Sequence, residues 1–256
     1  MEVLRRCVEA NEDDPVQYVR FAALLGAALT DSGRFNEAER VLVEALAKGL
    51  HVDDPYTRLR LYWSESRLRV EQGQSERAAP YALKALEILR TTEDTYALAH
   101  MLQSLAHIYL DLDRPQEAQE LLLEGRALID AVGTPLDVAQ FRIEEARALA
   151  AVGEQEQAVT LAMEAASGLT GVDGVDAGRA YALLGGIYWD LGDAPRAQEL
   201  LELAIELLAR ERPNRYLVQA YRQLAELLKA KGDTEGAHGL LERALAVQER
   251  VGRPLA

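Results

Sequence analysis

Histidine, cysteine and carboxylate side chains carry most protein chemistry, and in this chain they are few or wrongly spaced for catalysis. His100 and His107 fall on one helix face but stand seven positions apart, about 10 Å along the axis. That is too far for the two alone to hold one metal ion. His107 and Asp111 have the i, i+4 spacing of a side-chain contact on a helix surface, the reading favoured over a catalytic dyad. Cys7 is the single cysteine; it sits in an apolar stretch with no histidine nearby and reads as a small core residue, with no partner for an internal disulfide. No Gly-rich phosphate loop, Cys/His zinc cluster or HExxH pattern occurs. The remaining carboxylates scatter over helix faces, where solvated charge belongs. A protein that is not an enzyme, with no cofactor and no metal, is therefore expected.

Charge narrows the partners. The formal net charge of −14 over 256 residues repels phosphate backbones and anionic lipid. Neither nucleic acid, through this chain itself, nor membrane is an expected partner. No stretch has the pattern of a signal peptide or a membrane span, and with one cysteine a reducing, cytoplasmic setting is expected. Hydrophobic residues make up 49% and aromatics only 6%, a balance of Ala and Leu that favours packed helices over sheets.

The elements that must position any partner-binding residues announce themselves by a repeat. Glycine followed five positions later by alanine recurs as Gly33 and Ala38, Gly73 and Ala78, Gly153 and Ala158, Gly192 and Ala197, and Gly232 and Ala237; Asp113 takes the glycine position before Ala118. Successive alanines lie 40, 40, 40, 39 and 40 residues apart, so six units are expected. Each unit reads as two helices around a tight turn, with the Gly or Asp ending the first helix in a left-handed conformation. The alanine faces the first helix at close approach, and larger residues follow at helical spacing, as in Ala38, Leu42, Ala45 and Leu46. Upstream, a large residue, a small one and then an aromatic or Leu recur: Leu105, Ala106 and Tyr109, or Leu184, Gly185 and Tyr188. Breakers separate the units at Asp14-Pro15, Asp54-Pro55, Thr91 to Asp94, Thr134-Pro135, Gly171 to Gly174 and Pro213-Asn214.

Leu-Gly-x-x-Tyr, then Gly, then Ala, then Ala-Leu resembles the tetratricopeptide repeat signature over essentially the whole chain. The usual early Trp is missing, the second unit has Glu65 and Ser66 at the Leu-Gly positions, and the period is nearer 40 than 34 residues. The resemblance implies an all-α fold, a right-handed superhelical solenoid of antiparallel helix pairs, with residues 13–256 forming six tetratricopeptide-like repeats in one continuous array. Residues 1–12 align with the middle of a second helix, with Cys7 at the small position. They are expected to be either the end of a truncated preceding repeat, the favoured reading, or an N-terminal cap.

In repeats of this kind the first helices line a concave face, and aligned positions on them point into it. Those positions here hold Arg20, Arg60, Trp63, Arg67, His100, Gln103, His107, Gln140, Arg147, Arg179 and Arg222, with Trp189 as a further anchor. Six arginines against one acid, Glu226, give the aligned positions a local +5. Such a groove would attract an acidic peptide or a free C-terminal carboxylate, which Arg grips with two parallel hydrogen bonds. The alternative is that these arginines are solvated or pair with Asp31, Glu71, Asp111 and Asp190.

The stretch from Asp54 to Ser64, with Glu93-Asp94-Thr95 after it, also resembles bacterial transcription regulators of the Cro/repressor-type (XRE) family. These join an N-terminal helix-turn-helix domain to a C-terminal repeat region. The resemblance implies a sensor or dimerisation module that binds a peptide or protein, the DNA-reading domain not being in this chain. The alternative is a scaffold or homodimerisation unit without ligand sensing, using Leu4, Val8, Leu245 or Val247 to meet a second copy.

Overall fold

The computed structural model describes residues 1–169 and 174–250, and among them every regular element is a helix. In chain order these are α1 (Glu2–Ala10), α2 (Pro15–Asp31), α3 (Phe35–Gly49), α4 (Pro55–Glu71), α5 (Ser75–Leu89), α6 (Thr95–Asp111), α7 (Pro115–Val132), α8 (Pro135–Ala151), α9 (Gln155–Leu169), α10 (Gly174–Asp190), α11 (Ala194–Ala209), α12 (Arg215–Ala230) and α13 (Thr234–Arg250). The chain divides into two compact units, with α1 to α6 in Met1–Arg114 and α7 to α13 in Pro115–Val251. Of the expected link at Gly171 to Gly174, residues 171–173 lie outside the described residues.

Local chemistry starts and stops these helices where the sequence predicts. Asp14, Asp54, Asp94, Thr134 and Asn214 accept backbone N–H bonds at the N-termini of α2, α4, α6, α8 and α12, satisfying donors the helix leaves free. Thr134 and Asp137 do this reciprocally as a capping box. Every first helix then ends in one motif. The N–H of Arg34 donates to the Leu29 carbonyl at 2.8 Å, and Gln74 to Arg69, Arg114 to Tyr109, Glu154 to Leu149, Asp193 to Tyr188 and Asp233 to Leu228 repeat the bond at 2.8 to 2.9 Å. This closure needs a left-handed residue just before its donor. The five turn glycines supply it with φ between 71° and 89°, and Asp113 with φ 57°.

Packing within each unit follows from small residues opposite large ones. On α3, Ala38, Leu42 and Ala45 are fully buried against α2, and a Cβ on Gly26 would stand 2.5 Å from Leu42. The second unit repeats the device, since a Cβ on Gly185 of α10 would stand 2.7 Å from Leu201 of α11. The glycine is thus the hole into which the second helix sets its leucine. Helix α1 lies on α2 through Leu4 and Val8, both partly buried against the first core cluster. Arg5 of α1 pairs with Glu37 of α3 at 2.5 Å, and Cys7 is half-buried.

Candidate functional site

In the first unit the candidate residues sit on α2, α4 and α6. Helix α4 is the cationic one, with Arg58, Arg60, Arg67 and Arg69 against Glu65 and Glu71. It is pinned to α2 by the Ser64 hydroxyl, which donates to the Ala23 carbonyl at 3.1 Å. Arg20 on α2 and Arg60 on α4 occupy equivalent repeat positions on these two packed helices, and both are exposed. Neither is in an ion pair with another described residue. Arg20 lies close enough to Asp54 to help hold its carboxyl below the usual range, behind the larger effect of hydrogen bonds from Thr57. Trp63, one helical turn on from Arg60, is half-buried. Arg67 is bound to Asp31 at the end of α2.

Helix α6 presents less open chemistry. His100 packs edge-on against Tyr96 with ring centroids 4.5 Å apart, and Gln103 is half-buried. His107 is buried, its Nε2 3.6 Å from Asp111, which also accepts the Ser75 hydroxyl at 3.0 Å.

In the second unit α8, α10 and α12 carry the remaining candidates, and three of them belong to one polar ladder. The Gln140 amide donates to Asp176 at 2.5 Å; Arg179 donates to Asp176 at 2.6 Å and, on its other side, to Glu144; and Arg147 donates to the same Glu144 at 2.6 Å. The guanidinium of Arg179 also lies over the Tyr216 ring, 4.6 Å from its centroid. Glu144 is 2% exposed at its side chain and Arg179 14%. Burial alone would lower the Arg179 pKa, yet Tyr216, Glu144 and Asp176 outweigh it and hold the guanidinium well above its ordinary value. Arg222 is exposed and donates to Gln248 at 2.8 Å; Trp189 is exposed near the end of α10.

The arginines therefore divide. Arg67, Arg147 and Arg179 are neutralised by carboxylates of neighbouring helices or of their own, while Arg20 and Arg60 keep their charge toward solvent. The local +5 of the aligned positions counts the cations and leaves out Glu144 and Asp176, which stand at other positions of the same helices. Their i, i+3 spacing to Arg147 and Arg179 is the signal that could have found them.

Two carboxylates, Glu65 fully buried and Glu145 12% exposed at its side chain, also stand where the repeat calls for leucine. In the second repeat Glu65 replaces the equivalent of Leu25, and Arg69, four positions on, replaces Leu29. Arg69 donates to Glu65 at 2.7 Å and to Glu39 of α3 at 2.6 Å, so an ion pair takes the place of an apolar contact. Glu145 holds the same position in the fourth repeat but is followed by Leu149, and its partner is Arg126 of α7 at 3.2 Å. Burial raises the carboxyls of both Glu65 and Glu145 above the ordinary range, with their arginines opposing.

Among the described residues no group of three or more His, Cys, Asp or Glu side chains could hold a metal ion. No helix among them is long and apolar enough to cross a membrane.

Family profiles described as tetratricopeptide repeat match residues 176–250, 22–49 and 139–162. A search of curated proteins found no significant match. Solved structures share the fold. NprR in complex with its cognate peptide NprX superimposes with a TM-score of 0.79 at 16% identity, over 91% of this chain and 68% of that one. A Rap protein complexed with Competence and Sporulation Factor gives 0.77 at 17% identity, over 92% of this chain. BtubC (BKLC) from P. vanneervenii gives 0.57 at 23% identity, over 84% of this chain and 90% of that one. This chain spans 64% of the Rap protein's length. Motif, turn geometry and fold agree on a tetratricopeptide-like helical repeat.

Proposed function

We propose that this tetratricopeptide repeat chain is a non-catalytic binding module that takes a peptide or protein segment on the first-helix face of its first unit. The observation that carries the reading is the pair Arg20 and Arg60, exposed and outside any ion pair among the described residues, at equivalent positions on two packed helices, with Trp63 one turn on from Arg60. Two cations on adjacent helices suit an acidic side chain and a C-terminal carboxylate of one extended ligand. The indole supplies an apolar anchor that can also stack on a cation. The likeness to NprR and the Rap protein, each solved with its ligand, supports a sensor role, and the resemblance of the Asp54 to Ser64 stretch supports a helix-turn-helix transcription regulator as its setting. In that setting the module works in the cytoplasm, and DNA is contacted by an attached domain. Occupancy would be passed on only if the ligand distinguishes two conformations of the repeats.

Titration of the chain with short acidic and neutral peptides at low and moderate salt tests this. Acidic peptides should bind more tightly, lose affinity as salt rises, and lose it again in an Arg20→Ala/Arg60→Ala double variant. Equal binding of neutral and acidic peptides, unaltered in that variant, would remove the face from consideration.

A further inference from the structure

The second unit has another surface, on the side of its second helices α7, α9 and α11. Between α7 and α9, floored by α8, lies an apolar groove of about 520 Å³ walled by Leu122, Leu123, Leu149 and Leu161, with Glu145 and Arg126 as its charged members. The same feature recurs one repeat later. Between α9 and α11, floored by α10, a groove of about 460 Å³ is lined by Met163, Tyr181, Tyr188 and Leu200, with Arg196, its guanidinium over the Tyr188 ring, as its charged member. Leu161 and Leu200 are repeat equivalents, as are Leu123 and Met163. At the rims Leu123 is 78% exposed and Met163 48%, and the equivalent position on α11 is the acidic Glu202. Exposed leucine and methionine on successive repeats, each over a groove, form an apolar stripe that costs solubility unless something covers it.

Charge identifies the occupant. Helices α7, α9 and α11 carry nine carboxylates against two arginines, a formal −7. Helices α8, α10 and α12 carry six acids against six bases. The acidity of this unit is thus concentrated on the helices that bear the stripe. A second copy of the chain would bring the same −7 against it, and each copy is −14 overall, so self-association through this face is opposed. At the groove floor Glu145 lacks the i, i+4 arginine that serves Glu65; its ion pair is with Arg126, half exposed at its side chain, and Arg142 acts on it from farther away. A cation entering from a ligand would find a carboxylate already desolvated on one side, where pairing is stronger than at an open surface.

We infer that the grooves between α7, α9 and α11 dock a basic amphipathic helix of a protein partner, its apolar face on Leu123 and Met163 and a lysine or arginine directed at Glu145. Apolar anchors at helical spacing fill the two grooves in turn, as in helix-in-groove recognition, while the surrounding carboxylates steer the approach and set its salt dependence.

The test uses the full chain and three synthetic probes: a basic amphipathic helical peptide of Leu and Lys, the same composition scrambled to destroy the apolar face, and the amphipathic pattern with Glu in place of Lys. Binding is read by fluorescence anisotropy. The basic amphipathic peptide should bind at least about tenfold more tightly than either control, and a Leu123→Lys/Met163→Lys variant should remove that advantage. Both side chains are exposed, so circular dichroism should show the variant folded. Glu145→Gln should weaken the same peptide several-fold, and Arg20→Ala/Arg60→Ala should leave it unchanged. The last control separates this surface from the peptide face of the first unit. Equal binding of the scrambled peptide would overturn the inference by reducing it to net charge. Concentration-dependent self-association abolished by Leu123→Lys/Met163→Lys would overturn it in favour of a second copy.

Discussion

Replacing Arg179 by methionine removes the charge at the centre of the polar ladder while keeping an unbranched apolar stem against Tyr216. Arg179 donates to both Glu144 and Asp176, and all three side chains are at most 14% exposed. Taking one partner from a buried pair typically costs about 3–5 kcal/mol, because the charge left behind can neither pair nor hydrate. Here the cost falls at the lower end, about 3 kcal/mol, since Glu144 keeps Arg147 and Asp176 keeps the Gln140 amide. Urea unfolding followed by circular dichroism would read this as a lower midpoint with an unchanged slope. The loss carries a pH signature. A buried carboxylate stripped of its central cation favours its neutral form, so the penalty of the substitution is absent below the ordinary carboxylate range, about pH 4, and grows as pH rises and the carboxylate ionises. The gap between Arg179→Met and the natural protein should therefore narrow on acidification. Adding Glu144→Gln to Arg179→Met should recover about 1 kcal/mol or more at neutral pH, the non-additivity expected of one network. A loss under about 1 kcal/mol, unaltered by pH, would refute the claim that these charges are buried and mutually dependent.

Other expectations follow from the same structure. Gly185→Ala should destabilise by about 1–3 kcal/mol, although alanine is the better helix former, because its methyl would collide with Leu201; thermal unfolding measures it. Asp113→Gly should stabilise by about 0.5–1 kcal/mol, the relief of a left-handed L-residue less glycine's entropy, and a lowered midpoint would count against the turn assignment. Glu145→Leu should stabilise by about 1–2 kcal/mol at neutral pH by removing a largely desolvated carboxylate and filling an apolar site. The sign is set by the raised Glu145 pKa: the ionised form is the costly one, so the gain should shrink as pH falls toward the ordinary value. Calorimetry at neutral and mildly acidic pH would show an equal gain at both if burial of the charge were irrelevant.

The repeats were legible because their demands are local. A left-handed turn residue, a small alanine five positions on and a capping Asp, Thr or Asn are read directly from the chain, and Gly33, Asp113 and Asp54 do what their types require. Charge pairing is harder to read. Arg179 meets Glu144 and Arg67 meets Asp31 across 35 and 36 residues of sequence, so a tally of aligned positions assigned those arginines a free charge that the fold cancels. The contrast between Glu65 with Arg69 and Glu145 with Leu149 was present in the sequence. It acquires meaning only once α7 and α9 are seen to leave a groove over Glu145. Leu123 and Met163 have the residue type of core positions, and only the packing shows that they face solvent.

Hydrogen exchange of the chain, free and saturated with an acidic peptide that binds it, tests the central claim most directly. Binding on the first-helix face of the first unit predicts slowed exchange concentrated in α2 and α4, around Arg20, Arg60 and Trp63. Protection confined to α7, α9 and α11, or spread evenly over all helices, would contradict it.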